Sequence, residues 1–239
     1  MCSSLIPTEN RVALITGGSS DIGKKIVQKF LENNIKVIAQ YNSTDINIEN
    51  KNLKTIKSSF NKKKDLEDFV QTVFACESNI DFLINATGII ENRNFLECSL
   101  EVMNEVFQVN FFSHAFLMQT FFPIMVRQKF GRIVSLSSIG LKFGGSMNSA
   151  YYSASKSALE AITRSYAKFG AQSNVLCNTI RVGVIDTKIH KNKDMAERSK
   201  MIPVNRLGRP EEIAEMVYFL CSDKSDFITG QEFAVSGGE

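Results

Sequence analysis

The sequence predicts an α/β fold: a mainly parallel seven-stranded sheet, doubly wound, with helices on both faces. Three observations carry that expectation. Short apolar runs alternate with longer segments of helical period along the chain. The runs ALIT, VIAQ and FLIN are near-continuously apolar, as strands covered on both faces must be. The first run also passes through a glycine-rich turn, Thr16-Gly17-Gly18-Ser19-Ser20-Asp21-Ile22-Gly23, into an amphipathic segment.

Taken in order, the chain opens with a strand over Val12–Thr16 and a helix over Gly23–Glu32. Strands at Lys36–Gln40 and Leu53–Ser58 precede a helix at Lys64–Cys76, whose lysines 62–64 read as a solvated start. A strand at Phe82–Asn85 leads to one long apolar helix, Leu100–Arg127. Then come a strand at Arg132–Ser137, a helix at Ser155–Gly170 and a strand at Val175–Arg181. A helix at Glu211–Cys221 and a strand at Glu232–Val235 close the chain. No repeat, linker or low-complexity tract interrupts this order, so residues 1–239 are expected to form a single domain.

Composition excludes several classes. Apolar residues make up 44% and charged residues 22%, which rules out disordered and fibrous chains. The net charge of +3 offers no concentrated basic face, so neither nucleic acid nor membrane is an expected partner. Cysteines 2, 76, 98, 177 and 221 are odd in number and lack C-x-x-C spacing, the usage of reduced thiols. The stretch MCSSLIPTEN has no apolar signal core, and polar residues and Pro123 break the apolar stretch Val106–Val126. A soluble, cytoplasmic protein is expected. His114 and His190 have no acidic or cysteine neighbours at ligand spacing, so no metal is expected.

The glycine-rich turn points to a nucleotide. Glycines let the backbone approach a diphosphate, and the free N–H groups and positive dipole end of a helix face the anion. Arg11 to Gln40 spans the roughly 30 residues of a βαβ dinucleotide half. At this point the residues resemble a family, the short-chain dehydrogenase/reductases in their compact single-domain, Rossmann-type form. Their turn T-G-x-x-x-G-x-G is matched at Thr16, Gly17 and Gly23 and departs at Asp21, which is expected to cap the helix. Ser19, Ser20 and Ile22 complete the expected cofactor turn. The second strand runs out through Tyr41, Asn42 and Ser43 with no carboxylate before Asp45. These neutral groups favour NADP(H) over NAD(H), which stays possible.

The resemblance strengthens downstream. Asp81-Phe-Leu-Ile-Asn85-Ala86-Thr87-Gly88 is similar to D-x-L-V-N-N-A-G, placing Asn85, Ala86 and Gly88 beside the cofactor. Asn110 matches the family's active-site asparagine, Ser138 the catalytic serine ending G-R-I-V-x-x-S-S, and Tyr152 with Lys156 the motif Y-x-x-x-K; Tyr151 fails that spacing. The chemistry asks for these types. A carbonyl needs a hydride at carbon and a proton at oxygen, and a free tyrosine ionises too high to exchange protons readily near neutrality. Lys156 lies one helical turn beyond Tyr152 on the same face and is expected to lower the phenol's pKa. By resemblance Lys156 also holds the nicotinamide ribose, Ser138 binds the substrate oxygen and Asn110 positions a water for proton return.

Asn178-Thr-Ile-Arg-Val182-Gly183-Val-Ile185-Asp-Thr187 resembles N-x-I-x-P-G-x-x-x-T, with Val182 in the proline's place. Gly183, Ile185 and Thr187 are expected against the cofactor, and a substrate lid is expected around 187–205. RLGRPEEIA, ITGQ and the final SGG are similar to the ends of 3-oxoacyl-carrier-protein reductases and their relatives. The resemblance therefore implies an NAD(P)(H)-dependent enzyme interconverting a ketone or 3-oxoacyl group and an alcohol, on a small-molecule or carrier-linked substrate. The apolar helix around VFQVNFFSHAFLMQTFF implies a homodimer or homotetramer. The alternatives are a catalytically idle nucleotide-binding regulator or scaffold and, less favoured, a nucleotide-sugar epimerase or dehydratase.

Overall fold

The structure, a computed structural model, describes residues 11–188 and 195–239. Cys2, His190 and residues 189–194 of the expected lid lie outside the described residues. Seven strands form one sheet in the order β3-β2-β1-β4-β5-β6-β7. They are β1 Val12–Ile15, β2 Lys36–Tyr41, β3 Leu53–Lys57, β4 Phe82–Asn85, β5 Gly131–Ser138, β6 Val175–Val182 and β7 Glu232–Val235. Every pairing is parallel. After β3 the chain returns past β1 to lay β4 on its other side. The C-terminal ends of β1 and β4 therefore flank the crevice where the winding reverses, the place where open α/β sheets bind ligands.

Strand side chains alternate between two cores. Ala13 and Ile15 face α1 (Asp21–Glu32) and α7 (Pro210–Cys221), packing with Ile26, Phe30, Ile213 and Val217. Val12 and Leu14 face α2 (Lys63–Cys76) and α4 (Ser113–Gln128), packing with Phe69, Val73, Leu117 and Phe121. Both faces of the central strands are thus dry, which is why their sequences carry no polar alternation.

Two helices differ most from expectation. The long helix is broken: α3 covers Leu100–Phe107, a π segment Gln108–Phe112 follows, and α4 resumes at Ser113. The widened turn holds Asn110 wholly buried. By length and composition the helical path Leu100–Gln128 could cross a membrane, which corrects the expectation that no stretch qualifies. Here it is a core element, with Val106, Val109, Leu117, Met118, Phe121 and Met125 buried. The helix expected from Ser155 instead starts at Ala150, as α5 (Ala150–Gly170), so Tyr152 lies in its first turn. The short α6 (Met195–Lys200) falls within the expected lid. The cysteines at 76, 98, 177 and 221 are free, and burial pushes the thiols of Cys177 and Cys221 up.

Candidate active site

The turn after β1 is closed by its own hydrogen bonds. Gly17 takes a positive φ of 67°, and its N–H donates to Gln40 Oε1 at 2.8 Å. Gly18 N–H donates to the Gln40 carbonyl at 2.8 Å. A side chain at Gly23 would place Cβ 2.0 Å from the Gly17 carbonyl oxygen, so only glycine lets α1 start this close to the turn. Ser20, and not Asp21, caps α1: its Oγ accepts the Gly23 N–H at 2.9 Å while donating to the Gly17 carbonyl at 2.8 Å. The expected cap at Asp21 is thereby corrected. Asp21 already has helical backbone as the first residue of α1, so its carboxylate turns outward and accepts the Lys188 N–H at 2.7 Å. Among the described residues the N–H groups of Ser19 and Ile22 have no partner. Unpaired amides on a glycine cradle at a helix N-terminus fit the diphosphate of a dinucleotide.

At the end of β2 Tyr41 is half-buried, and beyond it Asn42 and Ser43 are exposed. The fold brings Asp45 back to the Tyr41 hydroxyl, and this carboxylate raises the phenol's pKa by hydrogen bond and charge. Asn85 is buried at the end of β4, donating from Nδ2 to Ser135 Oγ at 3.2 Å. Thr16 Oγ1 then accepts the N–H groups of Ala86 and Thr87, at 2.9 and 3.2 Å. Gly88 allows a close approach: a Cβ there would lie 3.3 Å from Lys156 Nζ and 3.5 Å from Asn110 Oδ1.

Asn110 clamps this loop. Its Oδ1 accepts the Ile89 N–H at 2.8 Å, and its Nδ2 donates to the Ile89 carbonyl at 2.9 Å and Ser155 Oγ at 3.0 Å. Three of the side chain's four hydrogen-bonding positions are thus taken up by protein. His114, one turn on, faces the Asn110 carbonyl through Nδ1 at 3.1 Å. Burial holds this imidazole well below its usual pKa, with the Lys156 charge adding to the effect. A neutral ring facing a carbonyl carries its proton on Nδ1.

Ser138 ends β5 and Tyr152 and Lys156 stand on α5, so strand and helix bring all three into the crevice with Asn110 and Gly88. Lys156 is buried, donating to the Leu136 carbonyl at 2.8 Å and the Thr87 carbonyl at 3.4 Å. Loss of water lowers its pKa from 10.5 to about 8. The expected effect on Tyr152 is reversed: burial raises the phenol's pKa, the Ser138 hydroxyl pulls it down and the Glu91 charge raises it further. Lys156 Nζ lies 6.0 Å from the tyrosine ring centroid, and its bonds to the carbonyls hold it off the phenol. Desolvation therefore outweighs the hydrogen bond from Ser138.

On β6 and beyond, Gly183 is needed for packing on the end of β7, where a Cβ would meet Ser236 Cα at 2.5 Å. Ile185 is buried and bridges to Gly208, and Thr187 Oγ1 donates to the Ile185 carbonyl at 3.4 Å. Two site residues escaped sequence reasoning. Gln40 ties the turn to the residue after β3 by donating to the Ser58 carbonyl at 2.6 Å, and Thr87 Oγ1 donates to Gln40 Oε1 at 3.1 Å. Glu91 binds the start of α5. A polar residue inside an apolar strand was the available signal for Gln40; nothing in sequence links Glu91 to a helix sixty residues away. No metal-binding group of His, Cys, Asp and Glu occurs among the described residues.

Comparison with known proteins agrees with this geometry. Residues 17–239 match the family described as Enoyl-(Acyl carrier protein) reductase. The chain is 31% identical over 245 residues to 3-oxoacyl-[acyl-carrier-protein] reductase FabG of Aquifex aeolicus strain VF5, covering 98% of each chain. It is 34% identical over 239 residues to acetoacetyl-CoA reductase of Rhizobium meliloti strain 1021, covering 96% of this chain and 98% of that one. Among solved structures, the ligand-free aldohexose dehydrogenase of Thermoplasma acidophilum superposes with a TM-score of 0.87 at 27% identity, over 99% of this chain and 95% of that one. With its parallel sheet, its nucleotide turn and this similarity over nearly its whole length, the chain belongs to the short-chain dehydrogenase/reductase family of nicotinamide-dependent oxidoreductases.

Proposed function

We propose that the chain interconverts a 3-oxoacyl thioester, CoA- or carrier-linked, and its 3-hydroxyacyl counterpart, with NADP(H) favoured over NAD(H). The observation that carries this reading is the meeting of Ser138, Tyr152, Lys156 and Gly88 in one crevice beside a glycine turn with unpaired amides. The nicotinamide supplies the hydride. Tyr152 donates the proton to the carbonyl oxygen, and Ser138 donates a hydrogen bond to that oxygen and orients it. The half-buried phenol, its pKa raised, holds at neutral pH the proton that reduction consumes. Lys156, titrating near pH 8, returns a proton to the phenol and binds ribose hydroxyls. Asn110 serves by holding the Ile89 loop against α5. Gly17, Ser19, Ile22 and Gly23 cradle the diphosphate. Asn85, Ala86 and Tyr41 to Ser43 line the adenosine side, and Gly183, Ile185 and Thr187 the nicotinamide side.

The relatives' names support the thioester, and the neutral Tyr41, Asn42 and Ser43 support NADP(H). A dimer through α4 and α5 is supported by a groove of about 490 Å³ lined by Phe112, Phe116, Ile162 and Tyr166. The unpaired cysteines suit the cytoplasm. The test is fluorescence titration with NADPH and NADH, then turnover of acetoacetyl-CoA, crotonyl-CoA and simple ketones by wild type and Tyr152→Phe. The reading expects NADPH-dependent reduction of acetoacetyl-CoA that Tyr152→Phe abolishes. Binding with no Tyr152-dependent turnover on any substrate would instead favour an idle nucleotide-binding protein, and turnover of crotonyl-CoA alone an enoyl reductase.

A further inference from the structure

Tyr152 stands in the first turn of α5, where backbone N–H groups have no partner within the helix. The residue placed to cap that turn, Ser149, makes no side-chain cap bond. Its hydroxyl is engaged with Ser146 instead, 2.8 Å from Ser146 Oγ and accepting the Ser146 N–H at 3.0 Å. The capping comes from the loop after β4. Glu91, 9% exposed, accepts the Tyr151 N–H through Oε1 at 2.8 Å and the Tyr152 N–H through Oε2 at 3.0 Å. The same loop is clamped by Asn110 through Ile89, two residues before Glu91. One rigid unit thus runs from the buried π segment to the amide of the proposed proton donor.

We propose that Glu91 is a positioning residue for the proton donor: its carboxylate caps α5 from another loop and fixes the backbone that carries the Tyr152 phenol. This rests on the reading of Tyr152 as the acid. A carboxylate on two successive first-turn amides satisfies both donors and complements the positive end of the helix dipole. Its charge has a second effect. The groups that face the phenol are Ser138 on β5, Lys156 on α5 and Glu91 on the β4 loop, while His114 on α4 is neutral. Glu91 is the negative charge among them, so it adds to burial in working against the phenolate.

The test uses the full chain as wild type, Glu91→Gln, Glu91→Ala and Tyr152→Phe. Ultraviolet titration of phenolate, taken as the difference from Tyr152→Phe, follows this tyrosine without any substrate. Glu91→Gln keeps one acceptor and removes the charge, so the Tyr152 ionisation moves to lower pH, as does the alkaline fall of acetoacetyl-CoA reduction. Glu91→Ala also leaves both amides unpaired. Its kcat falls about tenfold or more, the loss expected for charge-assisted hydrogen bonds, with KM little changed. Amide exchange at residues 151 and 152 rises. Unchanged phenolate titration and unchanged kcat in Glu91→Gln would overturn the proposal, even if Glu91→Ala fails to fold. A lowered melting temperature with neither change would reduce Glu91 to a purely structural cap and overturn it too. Turnover that survives Tyr152→Phe would overturn the reading of Tyr152 instead, whatever the Glu91 variants do.

Discussion

Lys156→Met separates what this lysine costs the fold from what it does in the crevice. The ammonium is buried against two carbonyls, and loss of water lowers its pKa from 10.5 to about 8. At about 1.4 kcal/mol per pH unit, that depression corresponds to roughly 3 kcal/mol. The sign follows from the protons bound. Below pH 8 the lysine is charged folded and unfolded, and the folded chain bears the whole desolvation cost. Between about 8 and 10.5 the folded chain has released a proton that the unfolded chain still holds, so stability rises with pH. Methionine keeps much of the volume and does not titrate, while all other groups titrate in both proteins and cancel. Urea unfolding without cofactor, at pH 7 and pH 10, should therefore show the stability difference between wild type and Lys156→Met moving by roughly 2.5 kcal/mol in favour of wild type. Parallel profiles for the two proteins would refute the reasoning, because Lys156 would then be no harder to charge in the fold than in water.

Three other perturbations test the cofactor side. Gly23→Ala drives a methyl into the Gly17 carbonyl, whose backbone cannot yield; it should cost roughly 1–3 kcal/mol in thermal unfolding and abolish measurable NADPH binding. Asp21→Gly leaves α1 capped by Ser20, so stability should fall by only about 1 kcal/mol while hydrogen exchange at the Lys188 amide accelerates; loss of protection in α1 instead would return the capping role to Asp21. Asp45→Ala removes the carboxylate beside Tyr41, so the ratio of NADPH to NADH affinity should rise and the Tyr41 phenol ionise at lower pH, both read by titration.

Much of the fold was legible in one dimension because burial on both faces leaves a local trace. β4 and β7 fall on the expected residues, and the other strands differ by a residue at one or both ends. The family's spacings likewise brought Ser138, Tyr152, Lys156 and Asn110 forward as a group. Helix starts were harder. α5 begins at Ala150 without a side-chain cap of its own, since the groups that satisfy its amides come from Glu91. Asp21 looked like a cap by residue type, but Ser20 sits one position earlier with the extended backbone that capping requires.

What the sequence by itself determined is the set of elements, their order and the chemical types available at the crevice, because apolar period and turn residues act over a few neighbours. Tertiary structure alone decided the electrostatics. The phenol's pKa rises because burial, with the charge of a carboxylate from another loop, outweighs the hydrogen bond from Ser138. It also decided that Asn110 is tied to Ile89 and Ser155, and that Asp45 returns to Tyr41. Desolvation and charge act through space, at distances that a residue's place in the chain does not encode.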